Sequence, residues 1–593
     1  MSKLDPGLKL LMTSAPDEMT AFANDSMFSL EVEPAQPARA NVLAQFTGDA
    51  AALEAAGFRI RTRAGNIVSG DIDVDRIGNL ENVDGLTRAE VSRVLGYELD
   101  LALPEARVTS VHAGPPGRRG AGVIVAMIDS GIDYQHPAFR DALGQSRILA
   151  IWDQALVPQP GEQSPAPFTY GVEYRMQDIN LALASAVPFA RVRHQDDAAQ
   201  AFHGTHVSGI SAGNGRPAQA GQLQPAFVGV APEADIVVVA NNRGRAEGER
   251  GLGDSADTLD AVQYILSIAA AQGRPVVINQ SQGDNVGAHD GTSLLERGIA
   301  NLIAGAGRVL VKSAGNEGAR ARHAQGTAVL NTAQAVRFTV PGGTREVVID
   351  LWYPGADRIE CAIVPPNGTS AAAVAPPTTT TINLSNGNAA FVDADLDDPG
   401  NHDNRTFVRL SRGSQTAVAA GTWTLRLTPT AVADGRWHAW IQRNSGSRFL
   451  APFVNASSTI SIPGTSPAVI TVGSYLTRGG TPVGRLSDFS SRGPTRDGRQ
   501  APTLAAPGEE LMATLPPSPP GSFGLLAGTS MASPMVAGTV ALILQQHPNA
   551  TAAAIRACLE QTARRDTFTG GAPGNEWGAG KLDAQAACAV VIP

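Results

Sequence analysis

The sequence predicts an α/β protein: a parallel sheet flanked by helices, preceded by a small α+β domain and interrupted by an inserted β-sandwich. Three observations carry this prediction. Val123-Ile124-Val125-Ala126-Met127-Ile128 is a continuous apolar run, the pattern of a parallel strand buried on both faces, and it ends in Asp129-Ser130-Gly131. Phe202 to Ile210 and Gly528 to Leu544 each open on small residues and continue as helix-starting sequence, the second into the apolar run Thr539 to Leu544. From about residue 330 to 455 the character changes to β segments separated by loops rich in Ala, Thr and Pro.

Length and composition bound the possibilities. At 593 residues the chain is too long for one ordinary domain. Hydrophobic residues make up 43%, enough for a large core, and the net charge of −9 offers no basic footprint for nucleic acid. Cys361, Cys558 and Cys588 are odd in number and lack metal-ligand spacing, so neither a disulfide framework nor a cysteine metal site is expected. In Met1 to Glu18, Lys9 interrupts Leu8, Leu10 and Leu11, which leaves no signal core, and no stretch approaches the ~18 apolar residues of a membrane span. The expectation is a cytoplasmic protein without a membrane partner.

The candidate chemistry starts at Ser530, at the N-terminus of a buried helix. A hydroxyl alone is a weak nucleophile and needs an adjacent base and a group to orient that base. Asp129 ends a buried strand, where open α/β sheets place their sites, and His203 opens a helix. Singly, each has a plainer reading as a turn or cap residue. Together, in the order Asp, His, Ser, the three segments resemble the catalytic motifs of the subtilisin-like serine proteases, the subtilases (peptidase family S8). The resemblance implies that Asp129 orients His203, His203 takes the proton of Ser530, and Ser530 attacks the scissile carbonyl. Val309 to Gly318 is similar to the segment carrying the family's oxyanion asparagine, which implies that role for Asn316.

Smaller matches extend the likeness. Phe227 to Ala234 with Asp235 to Val239 resembles the next sheet strand, and Pro275 to Gly283 the strand that pairs with substrate backbone. By the same resemblance Ser281, Gln282 and Gly283, with Ser313, Ala314 and Gly315, form walls of the primary specificity pocket. Glu317 falls at its rim, where a carboxylate would favour a basic or polar substrate residue. Asp488 to Pro494, Pro502 to Gly508 and Asn575 to Asp583 read as structural turns, and His206 and His136 as packing or hydrogen-bonding residues. Many relatives bind calcium through an acid at the position of Ala138, so no metal or organic cofactor is expected here, and calcium stays open.

The flanking and inserted regions complete the prediction. Within 39–105, a strand at Asn41 to Phe46, a helix at Asp49 to Ala56, a hairpin at Phe58 to Arg63 and Asn66 to Ile72, a short helix at Val74 to Leu80 and a strand at Thr87 to Arg93 give the βαββαβ order of a ferredoxin-like domain. That order also resembles the subtilase propeptide, by which analogy Tyr97 to Pro104 would thread toward Ser530 and a protein partner could release it. A plain accessory domain is the alternative. Residues 1–38 are an extension, and 106–330 with 456–593 form the catalytic domain in two segments.

In the insertion, 331–455, strands are expected at Val336 to Val340, Glu346 to Tyr353, Thr422 to Leu427 and Trp437 to Ile441. Four of the six tryptophans fall there, as core packing or as a carbohydrate-binding face. A jelly-roll-like module at this place resembles the clostridial spore-germination subtilases. The functional expectation is a serine endopeptidase acting on protein or peptide substrates and restrained by its N-terminal domain. A latent subtilase that only binds a regulatory partner is the alternative.

Overall fold

A computed structural model of the chain describes residues 3–4, 6–13, 30–31, 37–64, 66–91, 99–115, 117–216, 227–244, 251, 253–478, 482–516, 523–571 and 573–592. They divide into two compact units, Met1–Tyr97 and Glu98–Pro593.

In the first unit the strand Arg39–Phe46 lies between Leu86–Val91 and Ile67–Asp73, and Ile67–Asp73 pairs in turn with Arg59–Ala64, every pairing antiparallel. The helix Ala50–Ala55 and the 3-10 helix Val74–Asn82 connect them, and Leu30–Glu31 adds a short pairing to Arg39 and Ala40. Alternate residues Ala40, Val42, Ala44 and Phe46 point into a private core with Leu53, Val68, Ile72, Ile77 and Leu80.

The second unit is built on an eight-stranded sheet. In chain order its strands are β1 (Ile124–Asp129), β2 (Ile148–Asp153), β3 (Val172–Arg175), β4 (Asp235–Ala240), β5 (Val276–Gln280), β6 (Arg308–Ser313), β7 (Ile470–Leu476) and β8 (Leu504–Glu509). They lie in the order β8-β7-β6-β5-β1-β4-β2-β3, parallel except for the β2–β3 pair. Side chains of β1 divide between two cores, as the period of two requires. Val125 and Met127 meet the helices His203–Ala212 and Thr529–Gln546, whereas Ile124, Ala126 and Ile128 face Ser255–Gln272 and Leu294–Leu302.

In the segment Tyr97 to Pro104, expected by the propeptide analogy to thread toward Ser530, Leu99–Glu105 is instead a helix of this unit. Its Ala102 and Leu103, with Ala106 one turn on, share one side and are buried in the core beside β1, while Tyr97 and Glu98 lie outside the described residues.

Between β6 and β7 the chain forms two antiparallel sheets around one core. Six strands run in the order His323–Thr327, Arg436–Ile441, Glu346–Tyr353, Asn404–Ser411, Ala389–Asp395, Thr378–Asn383. Four oppose them: Arg358–Val364, Gly421–Ala431, Gln334–Val340 and Arg448–Phe449. Trp352, Trp423, Trp437 and Trp440 are all buried, so they pack rather than present a sugar-binding face.

The sandwich is fastened to the loop after β5. Arg443 Nη1 donates to the Gly283 carbonyl at 2.9 Å, Gly287 N–H donates to Asp350 Oδ2 at 2.8 Å, and the His289 ring stacks on Trp440 with centroids 4.1 Å apart.

Candidate active site

The carboxyl ends of β1, β5 and β6 and the start of the helix Thr529–Gln546 converge. Asp129 closes β1 at 1% exposure, and its Oδ1 accepts the Ser130 N–H at 2.8 Å and the His203 Nδ1–H at 2.7 Å. That bond fixes the neutral tautomer with Nε2 as the acceptor. Burial opposes charge on His203, but the charge and hydrogen bond of Asp129, with Asp196 further away, outweigh it and raise the imidazole above the ordinary histidine range.

Two features bring His203 to Asp129. Ala201 and Phe202 take left-handed backbone conformations, φ 54° and 56°, which swing the chain abruptly into the helix. Gly204 then lies directly against the Asp129 turn, where a Cβ would stand 2.1 Å from the Gly131 carbonyl oxygen.

Ser530 sits in the first turn of its helix, 8% exposed. Pro534, four residues on, has no N–H to give the Ser530 carbonyl, and Ser281 Oγ donates to that carbonyl instead at 3.1 Å. Ser281 Oγ accepts in turn from Asn279 Nδ2 at 3.1 Å, and Ser533 Oγ donates to Asn279 Oδ1 at 2.6 Å, tying the end of β5 to the helix. Ser530 Oγ makes a long 3.4 Å contact to the Ser281 carbonyl, weak enough to give way to a base.

Asn316 follows β6. Its Oδ1 accepts both the N–H and the hydroxyl of Thr529, each at 3.0 Å, so its Nδ2 amide group faces away from Thr529 with its donors free for the cleft. Thr529 Oγ1 is held by the Gly315 N–H at 3.1 Å.

Asp129, His203, Asn316 and Ser530 line one cleft of about 1160 Å³ together with Ser281, Gln282 and Gly283. Trp352, Asp398, Arg405 and Arg443 extend its wall from the sandwich. Ser313, Ala314 and Gly315, expected as the other wall, are buried behind this surface.

Glu317 is not at the rim. It is 1% exposed, and its carboxylate meets Arg322 at 3.1 Å and Arg443 at 2.9 Å in close charge contacts rather than aligned hydrogen bonds, so it has no free charge to offer a basic substrate residue. Arg443 comes from the sandwich, which the motif around Glu317 does not reveal.

His206 Nε2 bonds the Gly524 carbonyl at 2.9 Å, and burial, with His203 adding to it, lowers its pKa to about 4. His136 Nδ1 accepts from Ala138 N–H, and both histidines are structural. Ala138 does not fit a calcium site: its carbonyl accepts Arg147 Nη2 at 2.7 Å and the Asn214 N–H at 3.0 Å, and it supplies no carboxylate. Among the described residues no group of three His, Cys, Asp or Glu could hold a metal ion, and no helix is long and apolar enough to cross a membrane.

Residues that sequence reasoning missed are Thr529, which aims the Asn316 amide, Arg443 in the cleft wall, and the buried hydrogen-bonded pair Lys312 and Ser461. A lysine inside the apolar run Val309-Leu310-Val311-Lys312 was the available signal for one of them.

An aspartate bonded to a histidine, in one cleft with a serine at a helix start on a parallel sheet, is the arrangement of the serine hydrolase-like class. Residues 120–580 match the Subtilase family, and the chain belongs to that family. It is 26% identical over 478 residues to the minor extracellular protease Vpr of Bacillus subtilis, covering 75% of this chain and 48% of that protein. Subtilisin E of the same organism is 33% identical over 184 residues, 31% of this chain and 41% of that one. The solved structure of the Clostridium perfringens CspB protease superposes with a TM-score of 0.72 at 27% identity, over 82% of this chain and 96% of that one. The chain spans only about half the length of the longer-matching curated relatives, 48% of Vpr and 57% of an Arabidopsis thaliana subtilisin-like protease.

Proposed function

We propose that the protein is a serine endopeptidase that cleaves protein or peptide substrates through an acyl-enzyme. The 2.7 Å bond between Asp129 and His203, in one cleft with Ser530 and Asn316, carries this reading. His203 Nε2 takes the Ser530 proton as Oγ attacks the carbonyl carbon, then returns it to the leaving amine, while Asp129 holds the ring and balances the imidazolium. Asn316 Nδ2 and the Ser530 N–H donate to the oxyanion as it forms. Water repeats the sequence on the acyl-enzyme and releases the product acid.

The N-terminal unit is read as a restraint of the propeptide type, supported by its antiparallel four-strand order with two short connecting helices. Release would follow cleavage near the unit boundary or displacement by a protein partner.

A fluorophosphonate should modify Ser530 in the wild type and leave Ser530→Ala untouched, by intact mass. Incubation with an unfolded protein substrate should give new N-termini only with the wild type, and hydrolysis should rise as the protein's own N-terminus moves to residues 92–98. No labelling in any form would turn the reading to a latent, partner-binding subtilase. Labelling without a rise on N-terminal processing would remove the restraint alone.

A further inference from the structure

A second aspartate–histidine pair stands beside the first in the sheet. β2 ends in Asp153 as β1 ends in Asp129, with β4 between them, and each acid meets an imidazole Nδ1 at 2.7 Å: His194 for Asp153, His203 for Asp129. The surroundings differ. His203 lines the cleft, whereas His194 and Asp153 are both 0% exposed and take no part in its lining.

The other partner of His194 is the turn that carries Asp129. The Ile132 N–H donates to His194 Nε2 at 3.1 Å, and the proton on Nδ1 goes to Asp153, so the acid fixes the one tautomer that can hold Ile132. The ring also lies directly against Gly131, where a Cβ would stand 2.8 Å from His194 Cε1. The same glycine meets the start of the His203 helix, since a Cβ on Gly204 would stand 2.1 Å from the Gly131 carbonyl oxygen. Two residues after His194, Asp196 fastens the turn again. Its Oδ1 accepts the Ser130 hydroxyl at 2.7 Å, and its Oδ2 accepts the Thr205 N–H at 2.8 Å and hydroxyl at 2.6 Å. Residues 194 to 196 therefore hold the turn at Ser130 and at Ile132, one residue to either side of Gly131, and tie it to the helix that brings in His203.

We propose that His194, oriented by Asp153, is a positioning residue for Asp129. Its Nε2 anchors the Ile132 N–H, and the anchored turn keeps Asp129 Oδ1 within bonding distance of His203 Nδ1. The inference rests on the endopeptidase reading and adds to it a residue that never touches substrate.

The test is the rate at which a simple fluorophosphonate modifies Ser530, followed by intact mass, with thermal melting to verify folding. A glutamine at 194 carries its amide oxygen about as far out as Nε2, whereas an asparagine reaches only the Nδ1 position. His194→Gln, which keeps an acceptor for Ile132, should label within about threefold of the wild type, and His194→Asn about ten- to a hundredfold more slowly, the loss expected from a slightly misplaced catalytic group. Equal rates in the two variants, whether both fast or both slow, overturn the proposal.

A spectrum of the wild type decides the matter if neither variant folds. With isotope-labelled histidine, His194 and His203 should each give a slowly exchanging, carboxylate-bonded Nδ1–H resonance, while the exposed His402–Asp397 pair exchanges with water. The one that moves when Ser530 is phosphonylated belongs to His203. Absence of the second resonance, or its presence on a ring also protonated at Nε2, overturns the proposal. A wild type that never labels removes the endopeptidase reading and this proposal together, whereas a labelled wild type whose variants do not separate removes this proposal alone.

Discussion

Ser281 Oγ donates a 3.1 Å hydrogen bond to the Ser530 carbonyl because the residue that would normally do so, Pro534, has no N–H. A buried carbonyl left without a donor costs about 1–3 kcal/mol. Ser281→Ala should therefore lower unfolding free energy by about that amount and slow acylation severalfold as the first helical turn loosens. In a Pro534→Ala background the helix regains its own donor, and the cost of Ser281→Ala should largely disappear. Denaturant unfolding of the four proteins decides this, since equal costs in both backgrounds would sink the explanation.

Thr529 sets the direction of the Asn316 amide through two 3.0 Å bonds to Oδ1. Asn316→Ala should lower kcat about 10²–10³-fold with little change in KM, the size known for loss of this kind of donor in a subtilisin. Thr529→Val keeps the backbone bond and loses the hydroxyl, so about a tenfold loss in kcat is expected. Steady-state kinetics on one peptide substrate compares them.

In the proposed mechanism His203 must be neutral to act as base; burial lowers its pKa, and Asp129 with Asp196 outweighs that and raises it. The acid limb of kcat/KM should then have its midpoint above the ordinary histidine value of about 6.5. The same shift stabilises the folded state below the unfolded pKa, a contribution lost as pH rises through the folded one. Asp129→Asn leaves only Asp196 to oppose burial, so the limb should move to lower pH while kcat drops by about 10⁴. A limb that stays in place would detach Asp129 from His203.

Asp133 offers a pH effect on stability alone. Burial is the largest influence on it and raises its pKa from 3.8 to about 6, while its Oδ1 accepts the Gln135 N–H at 3.0 Å. An acid whose folded pKa is raised loses stability as pH rises above its unfolded value, and the loss is complete above the folded one. The change is at most about 3 kcal/mol. Asp133→Asn keeps the acceptor and removes the charge, so it should raise Tm at pH 8 and give no gain at pH 4. Calorimetry at the two pH values checks the sign.

Arg147 donates to the carbonyls of Ala138, Ala212 and Ala234 at 2.7, 2.6 and 2.6 Å from a buried position. It joins the turn after β1, the end of the His203 helix and the approach to β4. Arg147→Met should cost about 3–5 kcal/mol, because the buried Ala212 and Ala234 carbonyls lose this donor at once and Ala138 keeps only the Asn214 N–H. Arg147→Lys should recover only part, since an ammonium lacks the planar fork that reaches all three. Added calcium should restore neither variant.

What could be read from sequence was what local chemistry dictates. β1 announced itself because both its faces are buried, and Asp129, His203, Asn316 and Ser530 each lie at a strand end or helix start that a few neighbouring residues specify. Glu317 does not reach the rim because Arg443 arrives from the sandwich to join Arg322, five residues along the chain, on its carboxylate. Lys312 looked like an interruption in a strand until the fold brought Ser461, from beyond the insertion, against it. Tyr97 to Pro104 threads toward Ser530 only by analogy with a propeptide tail, although Ala102, Leu103 and Ala106 fit one side of a helix. Long-range charge pairing and the assignment of a segment to one unit or the other are set by packing between distant parts of the chain.

The placement of Ser530 after the sandwich has a consequence in time. His203 leaves the ribosome roughly 330 residues before Ser530, on the order of 15–65 s earlier at about 5–20 residues per second. For most of that interval Asp129 and His203 can dock while β7, β8 and the helix Thr529–Gln546 do not yet exist, and the two strands emerge only shortly before Ser530. Under the endopeptidase reading the growing chain therefore has no means of cutting its neighbours, because Ser530 arrives only after the closing strands of the sheet.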